Sequence, residues 1–197
     1  MKPTASLLFL LFSTLLNAGK APNFIIIYAD DLGYTQTSVP MMKDRPELGH
    51  SLHQTPHLEK LATRGMRFSN AYCPSPVCTS SRASIQFGMT TARVGCVSIH
   101  DVVMNKRKVD FEKNLSLAEM LKAQGYKTGI FGKWHLGHHR EFLPNNHGFD
   151  EFMGIPYSND MWPVDYDGNQ VAADHPLAKR YPQLPFFKNF EIVKEIL

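Results

Sequence analysis

NFIIIYA, residues 23–29, is a near-continuous apolar run rich in β-branched residues. Such a run is typical of a β-strand that is buried on both faces, as in a parallel sheet covered by helices. Two adjacent carboxylates, Asp30 and Asp31, follow it directly. Ligands of open α/β sheets bind beyond the carboxyl ends of the strands, so the pattern predicts a functional site here.

Helix and strand signals alternate along the following residues. After a long loop over residues 35–54, Pro56 is predicted to begin a helix that Gly65 ends. A short strand is predicted over Met66–Tyr72, and a short helix after Arg82 that ends near Gly88.

A second helix signal lies at Ser116–Glu119, which has the form of a capping box. Gly125 is predicted to end that helix, and Tyr126–Phe131 to form the next strand. The alternation predicts an α/β fold with a mostly parallel sheet flanked by helices. Beyond Pro144 the sequence shows little regular pattern.

The length and net charge of the chain limit its domain count and the kinds of partner that it can bind. The chain has 197 residues, of which 43% are hydrophobic and 11% aromatic, which suits one globular domain or two small ones. The net charge is only +3. The sequence lacks the basic stripe of a nucleic-acid-binding protein, so no nucleic-acid partner is expected.

Residues 1–21 have the pattern of a secretory signal peptide. Lys2 precedes the apolar run Leu7–Leu16, and small residues follow it. The alternative is a buried N-terminal helix. Because a membrane span needs about 20 apolar residues, the run predicts export without a membrane span. The mature chain is expected to be lumenal or extracellular.

Three cysteines remain in a compartment that favours disulfides. Cys73 and Cys96 are candidates for a pair that leaves Cys78 for chemistry, and a buried thiol at Cys96 is the alternative. Asn114 begins the only glycosylation sequon, Asn-Leu-Ser, so glycosylation is expected there.

A nucleophile and a cation are close together at Cys78-Thr79-Ser80-Ser81-Arg82. The small residues predict a turn that opens a helix. Backbone N–H groups and the helix dipole favour an anion at such a position, and the Arg82 guanidinium lies one turn away. The arrangement indicates a hydrolase of anionic esters.

Two further clusters allow both a functional and an ordinary interpretation. Asp30 and Asp31 suit Ca²⁺ or Mg²⁺, or form a solvated turn. Lys133 could stabilise a developing negative charge, and His135 could transfer a proton near neutral pH. Alternatively, both are ordinary loop residues. Together with His138 and His139, His135 also suggests zinc, but no further Cys or His residues complete a tetrahedral set.

The chain resembles the type I sulfatases, most closely their arylsulfatase and galactosamine-6-sulfatase branch. The blocks that carry the resemblance, in the family's order, are Pro22–Tyr34, Cys78–Arg82, Gly125–Gly137, His147–Asp150 and Gly154–Ser158. The resemblance implies an alkaline-phosphatase-like fold and hydrolysis of sulfuric esters.

The resemblance also implies a cofactor chemistry. Cys78 would be oxidised to formylglycine by the formylglycine-generating enzyme of the endoplasmic reticulum, and hydrated to a gem-diol. One hydroxyl would attack sulfur, and loss of the proton of the other would then expel sulfate. Asp30, Asp31 and the modified Cys78 would bind one Ca²⁺.

The remaining roles implied by the resemblance concern charge and substrate. Arg82 would stabilise the diol, Lys133 would bind the sulfate charge, and His135 would assist proton transfer. Ser158 would contact the substrate, a sulfated small molecule or sugar. A lysosomal or extracellular location is implied.

Two departures from the family pattern bear on these expectations. Ser80 stands where the signature usually has proline and sometimes alanine. Residues 22–197 are expected to be the N-terminal portion of a truncated catalytic domain, because family members are more than twice as long. The alternative function is a catalytically inactive secreted protein that binds a sulfated ligand or a partner.

Overall fold

The computed structural model describes residues 21–98, 109–111, 113–159, 161, 163, 169–180 and 183–195. The chain forms two compact units, residues 1–32 and 33–197. The predicted signal peptide lies outside the described residues apart from its last residue. Within the described part, no helix is long and apolar enough to cross a membrane.

Residues 23–29 do not form the predicted buried strand. They have no regular secondary structure, and the Ile25 and Ile27 side chains are 88% and 86% exposed. The apolar pattern predicts a preference for a strand, but a strand also needs a neighbour that accepts its backbone hydrogen bonds. Local sequence does not supply that neighbour.

The second unit contains five α-helices among the described residues. They are α1 (Pro56–Arg64), α2 (Cys78–Phe87), α3 (Thr91–Val94), α4 (Leu117–Ala123) and α5 (Pro176–Arg180). Short 3-10 turns lie at Pro46–Leu48, Arg140–Phe142 and Pro144–Asn146.

The helix boundaries follow the sequence signals closely. The helix predicted from Pro56 is confirmed, and Gly65 caps it. The helix predicted to end near Gly88 does so, with Gly88 in the left-handed conformation at φ 61°. It begins at Cys78, where the small residues predicted the opening of a helix, and not after Arg82. At α4 both hydrogen bonds of the capping box form between Ser116 and Glu119.

Four strands form one sheet in the order β1 (Gly129–Lys133), β2 (Glu151–Ile155), β3 (Pro185–Lys188) and β4 (Glu191–Glu195). β1 and β2 are parallel, whereas the β2–β3 and β3–β4 pairs are antiparallel. The described sheet is therefore mixed, with helices flanking it. The antiparallel strands β3 and β4 were not predicted from the sequence.

Two further strand predictions need correction. The strand expected over Tyr126–Phe131 begins later, at Gly129, and continues to Lys133. Met66–Tyr72 is irregular, and its apolar side chains are mostly exposed. A run of that composition forms a strand only where another strand pairs with it.

β1 and β2 approach each other closely at a glycine pair. Gly132 is the register partner of Gly154, and a Cβ on Gly154 would lie 1.8 Å from the Gly132 carbonyl oxygen. No side chain fits at this position, so glycine is required for the two strands to pair.

The core lies between α2, α3 and the sheet. Its buried members are Ala83, Phe87, Val94, Cys96, Val109, Trp134, Leu136, Leu143, Phe152 and Phe187. Trp134 is anchored by its indole N–H, which donates to the Phe142 carbonyl at 2.8 Å. Because Trp134 lies between Lys133 and His135, the core fixes the backbone that carries both residues.

Candidate active site

Cys78 is the first residue of α2. Val77 precedes it in an extended conformation and contributes no side-chain cap to the helix. The first turn of a helix has backbone N–H groups without intrahelical acceptors, and these attract anions. The half-buried Cys78 side chain is therefore placed where an anionic group is stabilised.

Two hydrogen bonds connect α2 with the ends of β1 and β2. The Arg82 guanidinium donates to the backbone carbonyl of Lys133, 51 residues away in sequence. The Lys133 ammonium donates to the Ser158 hydroxyl at 3.0 Å. Three of the residues predicted from sequence, Arg82, Lys133 and Ser158, thus lie in one connected group.

The strand pairing continues beyond Lys133 and positions the next residues. Trp134 donates its N–H to the Ile155 carbonyl at 2.9 Å, and His135 donates to that of Pro156 at 3.1 Å. The carboxyl ends of two parallel strands therefore carry Lys133, His135 and Ser158 side by side.

His135 is fully buried and has a positive φ of 60°. Non-glycine residues adopt this conformation rarely, and it clusters at functional sites. The Tyr157 ring meets the His135 ring edge-on, with 6.5 Å between centroids. The imidazole is thus held in an enclosed position beside the Ser158 segment.

Two further residues of this region, His138 and Tyr157, were given no catalytic or substrate-binding role in the sequence analysis. His138 lies 5.0 Å from Tyr157 between ring centroids, and burial together with the neighbouring His139 lowers the pKa of His138. Burial raises the pKa of the Tyr157 hydroxyl. The signal available was the spacing of His135 and His138, which was considered only for zinc.

The carboxylates Asp30 and Asp31 lie in the first unit, and both are exposed. Among the described residues, no three His, Cys, Asp or Glu side chains are grouped to hold a metal ion. Ca²⁺ takes six to eight oxygen ligands, so the described donor set does not fit a complete calcium site. The two aspartates remain predicted ligands.

The predicted pairing of Cys73 with Cys96 does not occur. Cys96 is a fully buried thiol, as in the alternative prediction, and Cys73 is exposed. Cys96 belongs to the apolar core, whereas the Cys73 sulfur lies 2.7 Å from the Ser81 hydroxyl on α2. The two cysteines thus have different surroundings.

The predicted glycosylation site lies just before α4. The Asn114 side chain is half-buried and donates to the Asp110 carbonyl at 3.0 Å. Ser116, the third residue of the sequon, is fully buried and caps the helix. Glycosylation at Asn114 stays a prediction.

Comparison with known proteins agrees with this geometry. A sequence model of the sulfatase family matches residues 22–185. Arylsulfatase A of Bos taurus is 43% identical over 150 residues, which cover 75% of this chain and 28% of the relative. Arylsulfatase G of Homo sapiens is 35% identical over 194 residues, covering 90% of this chain and 34% of the relative.

A solved structure extends the likeness to the fold. The PsFucS1 sulfatase from Pseudoalteromonas sp. matches with a TM-score of 0.55 and 30% identity, over 69% of this chain and 28% of that chain. This confirms the expected sulfatase fold. The chain spans about a third of the length of the curated relatives it matches. With the family model covering most of its length, the chain belongs to the sulfatase family.

Proposed function

We propose that residues 22–197 are the N-terminal portion of a catalytic domain that hydrolyses sulfuric esters, with Cys78 as the reacting position. The observation that carries the proposal is the hydrogen-bonded group of Arg82, Lys133 and Ser158, in which Arg82 lies one helical turn after Cys78 on α2. Family membership supports the reaction class.

The reacting group of the proposal is formylglycine, made from Cys78 by the formylglycine-generating enzyme. When hydrated, formylglycine supplies a hydroxyl nucleophile for sulfur and a second hydroxyl whose deprotonation releases sulfate. The position of Cys78 at a helix N-terminus supports this role, because charge that develops there is stabilised by backbone N–H groups.

Two cationic side chains stabilise the negative charge of the reacting groups. The Arg82 guanidinium is fixed against the β1 backbone and orients the group at position 78. The Lys133 ammonium binds a sulfate oxygen, and Ser158 positions this ammonium through the 3.0 Å hydrogen bond while contacting the substrate. Charge-assisted hydrogen bonds of this kind are stronger than neutral ones.

Proton transfer is assigned to His135. Its enclosed position keeps bulk water away from the ring and fixes the direction in which its nitrogens point. Histidine is the side chain best suited to exchange protons near neutral pH. The substrate class is a sulfated small molecule or sugar.

The Ca²⁺ ion implied by the family resemblance is retained as a proposal, with Asp30, Asp31 and the modified Cys78 as ligands. The carboxylates have the hard oxygen donors that Ca²⁺ prefers. The described residues do not by themselves assemble a complete donor set. The proposed route of the chain is the secretory pathway, to the lysosome or outside the cell.

The test measures conversion and turnover on the full chain produced with the formylglycine-generating enzyme. Mass spectrometry of the Cys78 peptide should show sulfur replaced by oxygen with loss of two hydrogens. An aryl sulfate that releases a coloured phenol should be hydrolysed. Lys133→Ala should lower kcat/KM by about 100-fold, since a charged hydrogen bond to the reacting group is lost.

The matched control is Lys127→Ala, which removes an exposed lysine six residues earlier. It should leave the rate unchanged. An unconverted Cys78 with no turnover would overturn the proposal, and binding of the aryl sulfate without hydrolysis would favour the inactive, ligand-binding alternative.

A further inference from the structure

A second thiol lies against the first turn of α2. The Cys73 sulfur is 2.7 Å from the Ser81 hydroxyl and donates to the Ser75 carbonyl at 3.2 Å. Cys73 is exposed and Cys78 is half-buried. The segment between the two cysteines therefore folds back onto the helix that Cys78 begins.

Helix geometry places this sulfur beside Cys78. Cys78 and Ser81 are three residues apart in α2, so they lie on one face with about 5–6 Å between Cβ atoms. Because the Cys73 sulfur touches Ser81, it lies near the face of α2 that carries Cys78. A disulfide needs its two Cα atoms about 4.4–6.8 Å apart, and the short segment between the two cysteines is long enough to reach that separation.

The intervening residues favour closure. Pro74 and Pro76 are two of the four residues between the cysteines, and they restrict the conformations of this short segment. Val77 accepts the first backbone hydrogen bond of α2, from Ser81 at 2.9 Å. The segment is thus attached to the helix at both ends, which lowers the entropy lost when a ring forms.

We propose that Cys73 and Cys78 form a disulfide under oxidising conditions, and that this bond withholds Cys78 from conversion. The second half rests on the proposed function, and the first does not. Cys96 does not compete for Cys73, because it lies fully buried in the apolar core.

The oxidant is a small-molecule disulfide such as glutathione disulfide. The Cys73 thiol loses its proton, and its sulfur attacks one glutathione sulfur, which forms a mixed disulfide and releases one glutathione. The Cys78 thiolate then attacks the Cys73 sulfur, which forms the ring and releases the second glutathione. Two thiols are oxidised and one glutathione disulfide is reduced.

The test exploits the tryptic peptide Phe68–Arg82, which contains both cysteines and no internal lysine or arginine. The full chain, produced without conversion of Cys78, is equilibrated in glutathione buffer, quenched with acid, unfolded, alkylated and digested. We expect Phe68–Arg82 to be two hydrogens lighter than the reduced peptide and to carry no alkyl groups. The separate peptide Val94–Lys106, which carries Cys96, should be alkylated and provides the internal control.

The same equilibration in urea shows whether the fold brings the thiols together. The equilibrium constant for ring closure should be about tenfold larger in the native chain than in the unfolded chain. Two alkyl groups on Phe68–Arg82, a glutathione adduct on Cys73 alone, or equal constants in both states would overturn the proposal.

A second arm tests the consequence for conversion. Cys73→Ser, produced with the formylglycine-generating enzyme, should have a several-fold larger converted fraction at Cys78 than the unaltered chain. An unchanged fraction overturns the withholding role. If neither chain is converted while the disulfide still forms, the proposed function fails and the disulfide stands.

Discussion

Ser80 is the residue at which this chain departs from the sulfatase signature, and the structure shows what the departure changes. It is the third residue of α2 and is fully buried. Its hydroxyl has no hydrogen-bond partner among the described residues. Proline is tolerated in the first helical turn because the N–H there has no intrahelical acceptor.

Ser80→Pro should therefore fold, and on the proposed function it should raise the converted fraction of Cys78, because proline would fix φ in the segment that the formylglycine-generating enzyme is proposed to recognise. Mass spectrometry of the Phe68–Arg82 peptide measures that fraction. Ser80→Ala is the matched control, since it removes the hydroxyl without restricting φ. Equal fractions for the proline and alanine variants would show that backbone restriction has no part in conversion.

Several individual residues were predictable because their chemistry is tied to short patterns. Cys78, Arg82 and Lys133 were identified from short patterns and Ser158 from the family resemblance, and hydrogen bonds bring the last three together. The positive φ of His135 was not predictable, since it results from the pairing of β1 and β2 and not from its own neighbours in sequence.

At the scale of single elements, the capping box of α4 connects the helix with the core. The Ser116 hydroxyl accepts from the Glu119 N–H at 3.0 Å and donates to the His147 carbonyl at 2.8 Å. The same hydroxyl thus caps α4 and holds the segment between β1 and β2.

Ser116→Ala should lower the free energy of unfolding by about 1–3 kcal/mol, because a cap is lost and a buried carbonyl loses its donor. Urea unfolding followed by circular dichroism measures the change. Glu119→Gln keeps the form of a capping box and should cost much less. If Ser116→Ala and Glu119→Gln lower the free energy of unfolding by the same amount, the Ser116 hydroxyl is not the source of the stability.

The glycine contact between β1 and β2 determines whether the site can form. Gly154→Ala places a Cβ against the Gly132 backbone, which cannot move as a flexible side chain could. We expect the free energy of unfolding to fall by more than about 3 kcal/mol, which is at the upper end of single-substitution effects. Thermal unfolding measures it.

Gly129→Ala is the matched control in the same strand pair. Its Cβ would contact the ring of Phe131 at 3.0 Å, a side chain that is 65% exposed and free to rotate. A Gly129→Ala loss as large as that of Gly154→Ala would contradict the close-approach explanation.

The helices could be predicted because their end signals are local, as with Pro56 and Ser116. The strands were harder. Phe186 and Phe187 precede a turn in which Asn189 has a positive φ of 56°, and Ile192 follows it. This is a recognisable hairpin pattern that was overlooked. Whether residues 23–29 form a buried strand, in contrast, depends on pairing with residues that are distant in sequence.

On the scale of the whole molecule, buried histidines link stability to pH. His147 is stacked on Phe111 with 3.6 Å between ring centroids, and burial lowers the pKa of His147. Its Nε2 lies 3.0 Å from the Glu141 carbonyl oxygen, which can only accept, so Nε2 carries the proton. The neutral ring is the form that the fold favours.

The unfolded chain therefore binds a proton at this histidine at a higher pH than the folded chain does. Stability is fully present above the unfolded pKa of about 6.5 and falls as the pH decreases below it. The melting temperature should be lower at pH 5 than at pH 7.5. His147→Gln, which keeps an N–H donor without titrating, should reduce this difference.

His57→Gln is the control, because His57 is exposed on α1. It should leave the pH dependence as it is in the unaltered chain. A His147→Gln variant with an undiminished pH dependence would assign the effect to other groups, of which His138 is the first candidate because burial also lowers its pKa.

The cap of α4 has a consequence for the order of events during biosynthesis. Ser116 is both the helix cap and the hydroxyl residue of the Asn114 sequon, and folding buries it completely. An oligosaccharide-transferring enzyme must reach that hydroxyl together with the Asn114 amide. The predicted sugar attachment at Asn114 would therefore have to occur on the nascent chain, before α4 forms, and a chain that folds first would keep an unglycosylated asparagine.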